Sequence, residues 1–496
     1  MTSMPTGLAL IDHIVVLMLE NRSFDNMLGW QFGLDPRLFN LTERGERIAV
    51  WGNEGIDRST MTMPDPDPGE LFTDMTYQLF ERYFIADGLQ PPPVPTMGGF
   101  VRNYSNQTIG TTLAYDPRAI MHCFHPDQVP VTSLLARTFG VADRWFSSAP
   151  CQTWPNRFFV HTATADGWVN NTPIPDEWKV AERFPYDMPT IFGQIKQHFL
   201  QFDKGWRIYF HDAPQSILLS ELWSHLDHFH GYRRFAQDVA GGDLQSYSFI
   251  EPRFYPNLEQ TLLPNDQHPP HDVTLGEQLI ADVYNTLRAS DYWEKTLLVV
   301  LWDEPGGCYD SVPPGPAQAP DDGRSPKPGQ NGFTFDRYGA RVPALLVSPY
   351  IAPGIVAAPG AVPFDHTSIV RTVRERFAST AGPLTKRDAA APSLAHALTL
   401  GPDNMNLGPA QIAMPLYVPP AETVHAAADQ PMTGFQRSLM YAMAALPSHE
   451  HALTWLELAR TGTKPAITPP ALSTAREAHP YVKAKLASFL GRDEAE

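Results

Sequence analysis

The sequence predicts an α/β fold built on a mainly parallel sheet. Residues 14–19 (IVVLML) form a short apolar run that stops at Glu20 and Asn21. Residues 297–302 (LLVVLW) form a second run, which stops at Asp303 and Glu304. Strands buried on both faces of a parallel sheet read as near-continuous apolar runs of this kind. Between the two, Leu275, Leu279, Val283 and Leu287 recur at helical spacing and mark an amphipathic helix over 275–290.

Other elements follow the same logic. Strands are expected at 141–146 (VADRWF), at 206–210 (WRIYF), from 246 in SYSFIEPRFYPN, and within 342–351 (VPALLVSPYI). Helices are expected around 134–139, at 190–199 and through Ile369, Val373 and Phe377, with Asp365 as a cap. Residues 31–95 read as loop, punctuated by the proline-rich stretches 63–70 and 91–95. Asp65, Asp67 and Glu70 in the first of these read as solvated turn residues. After Pro392 the pattern changes to loop and then helices near 435–445, 451–461 and 475–490. The expected organisation is a catalytic domain over 1–391 and a helical extension over 392–496, packed on that domain or between subunits.

Composition narrows the function. The chain has 496 residues, of which 43% are hydrophobic and 11% aromatic, enough for a large core. A net charge of −17 argues against a nucleic-acid surface and against adsorption to anionic membranes. Three cysteines give no disulfide framework and suit a reducing compartment. No basic start with a long apolar segment and no run of membrane-spanning length is present, so an unexported, cytoplasmic protein is expected. Oligomeric state is left open, a homo-oligomer included. The sequence contains no P-loop and no GxGxxG.

The chemistry concentrates in a few stretches. A strand end carrying a carboxylate and an amide, such as Glu20 and Asn21, offers oxygen ligands to a divalent cation where open α/β sheets bind ligands. It also suits a polar turn that caps a helix. Asp303 and Glu304 repeat the pattern, and two adjacent carboxylates at a buried strand end are costly without a positive partner. Gly306 and Gly307 allow the tight turn after them. In CQTWPNRFF, Pro155 suits a first helical turn, and Thr153 falls just before that turn in an N-cap-like position, beside free N–H groups. Asn156 and Arg157 offer contacts to phosphate oxygens. NDQHPPHDV presents His268 and His271 in a proline-stiffened loop, as metal ligands or as acid and base.

ENRSFDNMLGW, TWPNRFF, NDQHPPHDV, WDEPGGCYD and FDHTS, in this order over about residues 11–390, resemble the bacterial and plant phosphoesterase family of non-haemolytic phospholipases C, plant non-specific phospholipases C and bacterial acid phosphatases. The resemblance implies an alkaline-phosphatase-like three-layer α/β/α sandwich with its site at the carboxyl ends of the strands. It implies one divalent metal ion (Ca, Mg, Mn, Fe or Zn) held by Glu20, Asn21, Asp303 and Glu304, with Thr153 as a metal-bound nucleophile that forms a phospho-threonine. His268 becomes a phosphate-contacting or acid–base group, and Asn156 or Arg157 positions the ester. Ser23 is the runner-up nucleophile. The family's DPGH reads DPGE here, placing Glu70 where a substrate-binding histidine is expected. Its DEHGGFYDH reads DEPGGCYDS, so Pro305 and Ser311 replace two further histidines. Leaving-group protonation then falls to His268 or His271.

The implied activity is metal-dependent hydrolysis of phosphoric esters, phospholipase C-like, releasing diacylglycerol and a phospho-headgroup. Acid phosphatase activity on small phosphomonoesters is the alternative. A non-catalytic member binding a phospho-ligand or partner is a further one, motivated by the three replaced histidines. A sulfatase-like reading fits poorly, because Cys151 lies two residues early for a nucleophile in that setting.

Overall fold

Val15 to Leu19 are buried on both faces, and that burial requires a strand in the middle of a sheet. In the computed structural model, which describes residues 7–83, 94–107, 116–171, 186–198, 205–461 and 470–494, this is the case. Part of the proline stretch 91–95, residues 91–93, lies outside the described residues.

Strand β1 (His13–Leu19) sits inside an eight-stranded sheet of the described residues. Two short strands, β2 (Phe39–Leu41) and β3 (Arg47–Ala49), pair separately as a hairpin-like ladder. The main sheet holds β4 (Gly140–Val141), β5 (Trp206–Phe210), β6 (Phe229–Gly231), β7 (Tyr247–Glu251), β8 (Thr296–Trp302), β9 (Ala344–Val347) and β10 (Gly354–Ile355). Its order is β10-β4-β9-β8-β1-β7-β5-β6. All neighbours run parallel except β9, which is antiparallel to both β8 and β4.

Helices flank this sheet in two packed groups. Thr153–Thr162, Ile191–His198 and Thr367–Phe377 pack together; Pro130–Thr138, Val273–Arg288 and Arg233–Gly241 form the second group. The result is the expected α/β sandwich around a mainly parallel sheet.

The expected strand at 141–146 is a correction. Only Gly140 and Val141 pair as a strand. Trp145 and Phe146 make single bridges to Phe364 and Arg341. Both aromatics are buried, so their apolar character reports burial under a loop rather than strand pairing.

Among the described residues the C-terminal part adds the α-helices Ala421–Asp429, Gly434–Ala445, Ala452–Arg460 and Ala475–Leu490. The first begins inside the stretch read as loop. Phe435, Leu439, Trp455, Val482 and Phe489 belong to the same hydrophobic cluster as β1 and β8. Phe435 packs edge-on against Phe254 at 4.9 Å, and Trp223 lies 4.9 Å from Phe489. No helix among the described residues is long and apolar enough to cross a membrane.

Candidate active site

The parallel register of β1 and β8 builds the site. Leu19 pairs with Trp302, so the residues that follow each strand, Glu20 with Asn21 and Asp303 with Glu304, emerge side by side at the carboxyl edge. Asn21 then turns the chain with a left-handed φ of 51°, a conformation that asparagine tolerates better than most residues. Its backbone N–H donates to Asp303 Oδ1 at 3.0 Å, and its amide Nδ2 donates to Glu304 Oε1 at 3.4 Å. Gly306 makes this closeness possible: a Cβ there would lie 2.5 Å from the Asn21 Cβ, at a φ of +58°.

Thr153 reaches the same point from another element. Its Oγ1 lies 3.2 Å from Glu20 Oε2 and 3.4 Å from Asn21 Oδ1. Thr153 is the first residue of the helix Thr153–Thr162, and Gln152 occupies the cap position, which corrects the expectation that Thr153 itself caps. Pro155 sits in the first turn as expected. The hydroxyl therefore lies at the helix start, beside the positive end of the helix dipole.

Arg157, one turn further, is fully buried and turned inward. Its Nε donates to Glu20 Oε1 at 2.8 Å; it also lies 3.4 Å from Asp303 Oδ2 and 3.6 Å from Glu251 Oε2. These three carboxylates end β1, β8 and β7. Arg157 thus ties three strand ends together, while its Nη1 makes no hydrogen bond among the described residues. Asn156 is likewise engaged. Its amide donates to the carbonyls of Ala149, Cys151 and Gln152 and shapes the loop before the helix. Asn156 thus holds the loop before the helix, and Arg157 holds the strand ends.

Ser23 is the N-cap of the helix Phe24–Leu28, accepting from Asn26 N–H and donating to Tyr309 O at 2.5 Å. That occupation removes it as a nucleophile.

The loop 265–272 closes the site because Glu20 N–H donates to Asp266 O. His268 is buried, 1% exposed, with Nε2 at 3.5 Å from Glu70 Oε2 and Nδ1 at 3.8 Å from Asp67 Oδ1. Glu70 accepts from Asn21 Nδ2 and from Gln152 Nε2, so it belongs to the buried centre and not to a solvated turn. His271 is less buried, and its Nδ1 lies 2.7 Å from Asp266 Oδ1. It lines a cavity of about 660 Å3 whose other walls include Pro264, Pro270, Tyr417, Ala427 and Met432. Asp67 lines it too.

Electrostatics mark the same place. Burial pushes the carboxyls of Glu20 and Glu304 well above the usual range, with Arg157 opposing the shift at Glu20, and burial raises Asp303. Burial would lower His268, but the carboxylates of Asp67, Glu70 and Asp266 drive it well above the ordinary imidazole value. His366 shows a supporting role not assigned from sequence. Burial holds it down at about 4, Trp145 Nε1–H donates to its Nδ1, and its Nε2 lies 2.5 Å from the Asp303 carbonyl. The neutral ring with the proton on Nε2 fits both partners.

The donor set suits a hard divalent cation. It consists of carboxylates, an amide oxygen and a hydroxyl, and Asp303 Oδ2 is buried with no hydrogen bond among the described residues. Arg157 alone does not balance Glu20, Asp303 and Glu304. These three carboxylates do not draw to within 4.8 Å of one another, since the groups of the described residues that do so are Asp67–Glu70–His268 and His225–Asp227–His228.

Glu251, missed from sequence, was detectable. It ends the apolar strand YSFIE in the way Glu20 and Asp303 end theirs. Asp67, read as a turn residue, carried no such signal.

A buried carboxylate centre at parallel strand ends, with a hydroxyl at a helix start, places the protein among the phosphoric ester hydrolases once its relatives are considered. The chain belongs to the Phosphoesterase family, whose model matches residues 11–379. Non-specific phospholipase C3 of Arabidopsis thaliana is 36% identical over 392 residues, 76% of this chain and 71% of that protein. Non-specific phospholipase C6 of the same plant is 33% identical over 503 residues, 97% of this chain and 87% of its own. Phospholipase C B of Mycobacterium tuberculosis is 28% identical over 437 residues, 78% of this chain and 77% of its own.

Proposed function

We propose that this enzyme cleaves phospholipids as a phospholipase C, through a phospho-threonine at Thr153. The observation that carries the reading is the Thr153 hydroxyl held within 3.2 Å of Glu20 and 3.4 Å of Asn21 at the start of a helix. Glu20, Asn21, Asp303 and Glu304 would hold one divalent cation, which when bound lowers the pKa of a nearby hydroxyl and screens phosphate charge.

The protein's own residues do the rest. Thr153 Oγ gives its proton to Glu20 Oε2 and attacks phosphorus as the bond to the diacylglycerol oxygen breaks. The departing oxygen takes a proton from His271, whose ring Asp266 orients and which faces the cavity. The intermediate is a phosphodiester of Thr153 that still carries the headgroup; water gives a proton to His271 and attacks its phosphorus, and Thr153 Oγ leaves with the proton held by Glu20 as the phospho-headgroup is released. Arg157 holds Glu20 and Asp303 in place throughout. The largely apolar cavity beside His271 and the phospholipase C relatives support a lipid ester over a small soluble one.

Turnover of phosphatidylcholine vesicles and of p-nitrophenyl phosphate, with acid quenching, tests this. Wild type is expected to release phosphocholine, to lose activity with chelator, and to yield, on quenching, a peptide in which Thr153 carries phosphocholine from the vesicles or phosphate from p-nitrophenyl phosphate. Thr153→Ala is expected to lose turnover by about 10⁴-fold or more, as covalent catalysts do. An unchanged rate in that variant overturns the assignment.

A further inference from the structure

Asp67, Glu70 and His268 converge from two proline-rich loops beside the Thr153 centre. One ligand atom from each lies within 4.8 Å of the others. His268 Nδ1 is 2.6 Å from the Pro269 carbonyl, which only accepts, so Nδ1 carries a proton. Nε2 is left buried, without a hydrogen bond among the described residues, and aimed at Glu70 Oε2 3.5 Å away.

That separation is longer than a direct hydrogen bond and leaves the buried Nε2 without one among the described residues. Two ligands on one tetrahedral zinc, each about 2.0–2.1 Å from the ion, stand roughly 3.3 Å apart, close to the spacing of Nε2 and Glu70 Oε2. We propose that Asp67, Glu70 and His268 form a second divalent-cation site, of the mixed imidazole–carboxylate type that suits Zn2+, distinct from the cation of the Thr153 centre.

The surroundings fit a site open on one side. The Asp67 side chain is 29% exposed and lines the cavity of about 660 Å3, which gives an ion an entry path and leaves a coordination position for water or substrate oxygen. Gln152 Nε2 holds the other Glu70 oxygen at 3.2 Å, and Pro269 O fixes the His268 ring, as outer partners of metal ligands do. Asn21 links the two centres, because its Nδ2 donates to Glu70 while its Oδ1 faces Thr153. With His268 on an ion, His271 is the residue left to give the proton, in keeping with the proposed mechanism.

The test is zinc stoichiometry by elemental analysis of the full chain, stripped with chelator and dialysed against ZnCl2. Wild type is expected to bind two equivalents, Asp67→Asn one, and Glu20→Gln one. At most one equivalent in wild type, lost in Glu20→Gln and kept in Asp67→Asn, overturns the second site and leaves the Thr153 reading standing. One equivalent lost in Asp67→Asn and kept in Glu20→Gln supports the second site and overturns the first. Should Asp67→Asn not fold, Glu70→Gln replaces it. Anomalous diffraction at the zinc edge on wild-type crystals adds an independent readout: a peak among the three side chains is expected, and its absence overturns the proposal.

Discussion

Asn21 donates its backbone N–H to Asp303 Oδ1 at 3.0 Å, joining residues 282 positions apart in the chain. The bond exists because β1 and β8 are adjacent and because Asn21 takes a left-handed turn immediately after its strand. Gly306 packs against that turn, so the geometry of the centre depends on a residue with no side chain.

Gly306→Ala is therefore expected to damage the site from outside it. The new methyl group would overlap Asn21 and adopt a strained φ, a cost on the order of 1–3 kcal/mol. Displacing Asn21 by about 1 Å is expected to lower kcat about a hundredfold. Steady-state kinetics together with urea unfolding read both effects, and wild-type kinetics in this variant would contradict the close-approach argument.

Arg157→Met is expected to destabilise the fold by about 3–5 kcal/mol, because it strands the buried carboxylates of Glu20, Asp303 and Glu251 without a partner. Arg157→Lys keeps the charge but not the planar fork, and is expected to recover part of the loss. Urea midpoints of the two variants check the order.

His161 gives the acid side of the stability profile. It is fully buried against Phe249 and Phe192, with neither ring nitrogen hydrogen-bonded among the described residues, and burial lowers it to about 3. A depressed imidazole leaves the unfolded chain, near 6.5, binding the extra proton first. Its contribution is thus complete above about pH 6.5 and is lost as pH falls from there toward 3. His161→Leu is expected to flatten the fall in stability between pH 6.5 and 4, measured by urea unfolding at stepped pH. Parallel profiles for variant and wild type would count against this.

Removing residues 392–496 is expected to abolish cooperative folding. The cut would bare Trp223, Phe254 and Tyr255, which pack on or bond to Trp455, Phe489, Phe435 and Gln436. Loss of a thermal transition in the truncated chain is the expected result. A cooperative transition would mark 1–391 as an independent domain.

Local pattern made much of this legible. The apolar runs ending at Glu20 and Asp303 are β1 and β8, and the amphipathic periodicity from Leu275 is the helix Val273–Arg288. Thr153 beside Pro155 is a helix start. Where pattern failed, burial and not pairing was the cause. Trp145 and Phe146 are apolar because they lie under a loop, and Glu70 looks like a turn residue because its partners, Asn21, Gln152 and His268, come from distant segments. The three carboxylates that Arg157 reaches were not legible, because a sequence does not show which way a helix faces.

The sequence by itself determined that two apolar strands end in acidic residues and that Thr153 stands at a helix start, since strand burial and helix periodicity are written in neighbouring residues. Only the tertiary structure decided that those ends are adjacent, that Arg157 meets three carboxylates and that Glu70 meets His268. Strand order and register are set by packing over the whole core, and a side chain's partners across hundreds of residues follow from that packing and not from its neighbours in the chain.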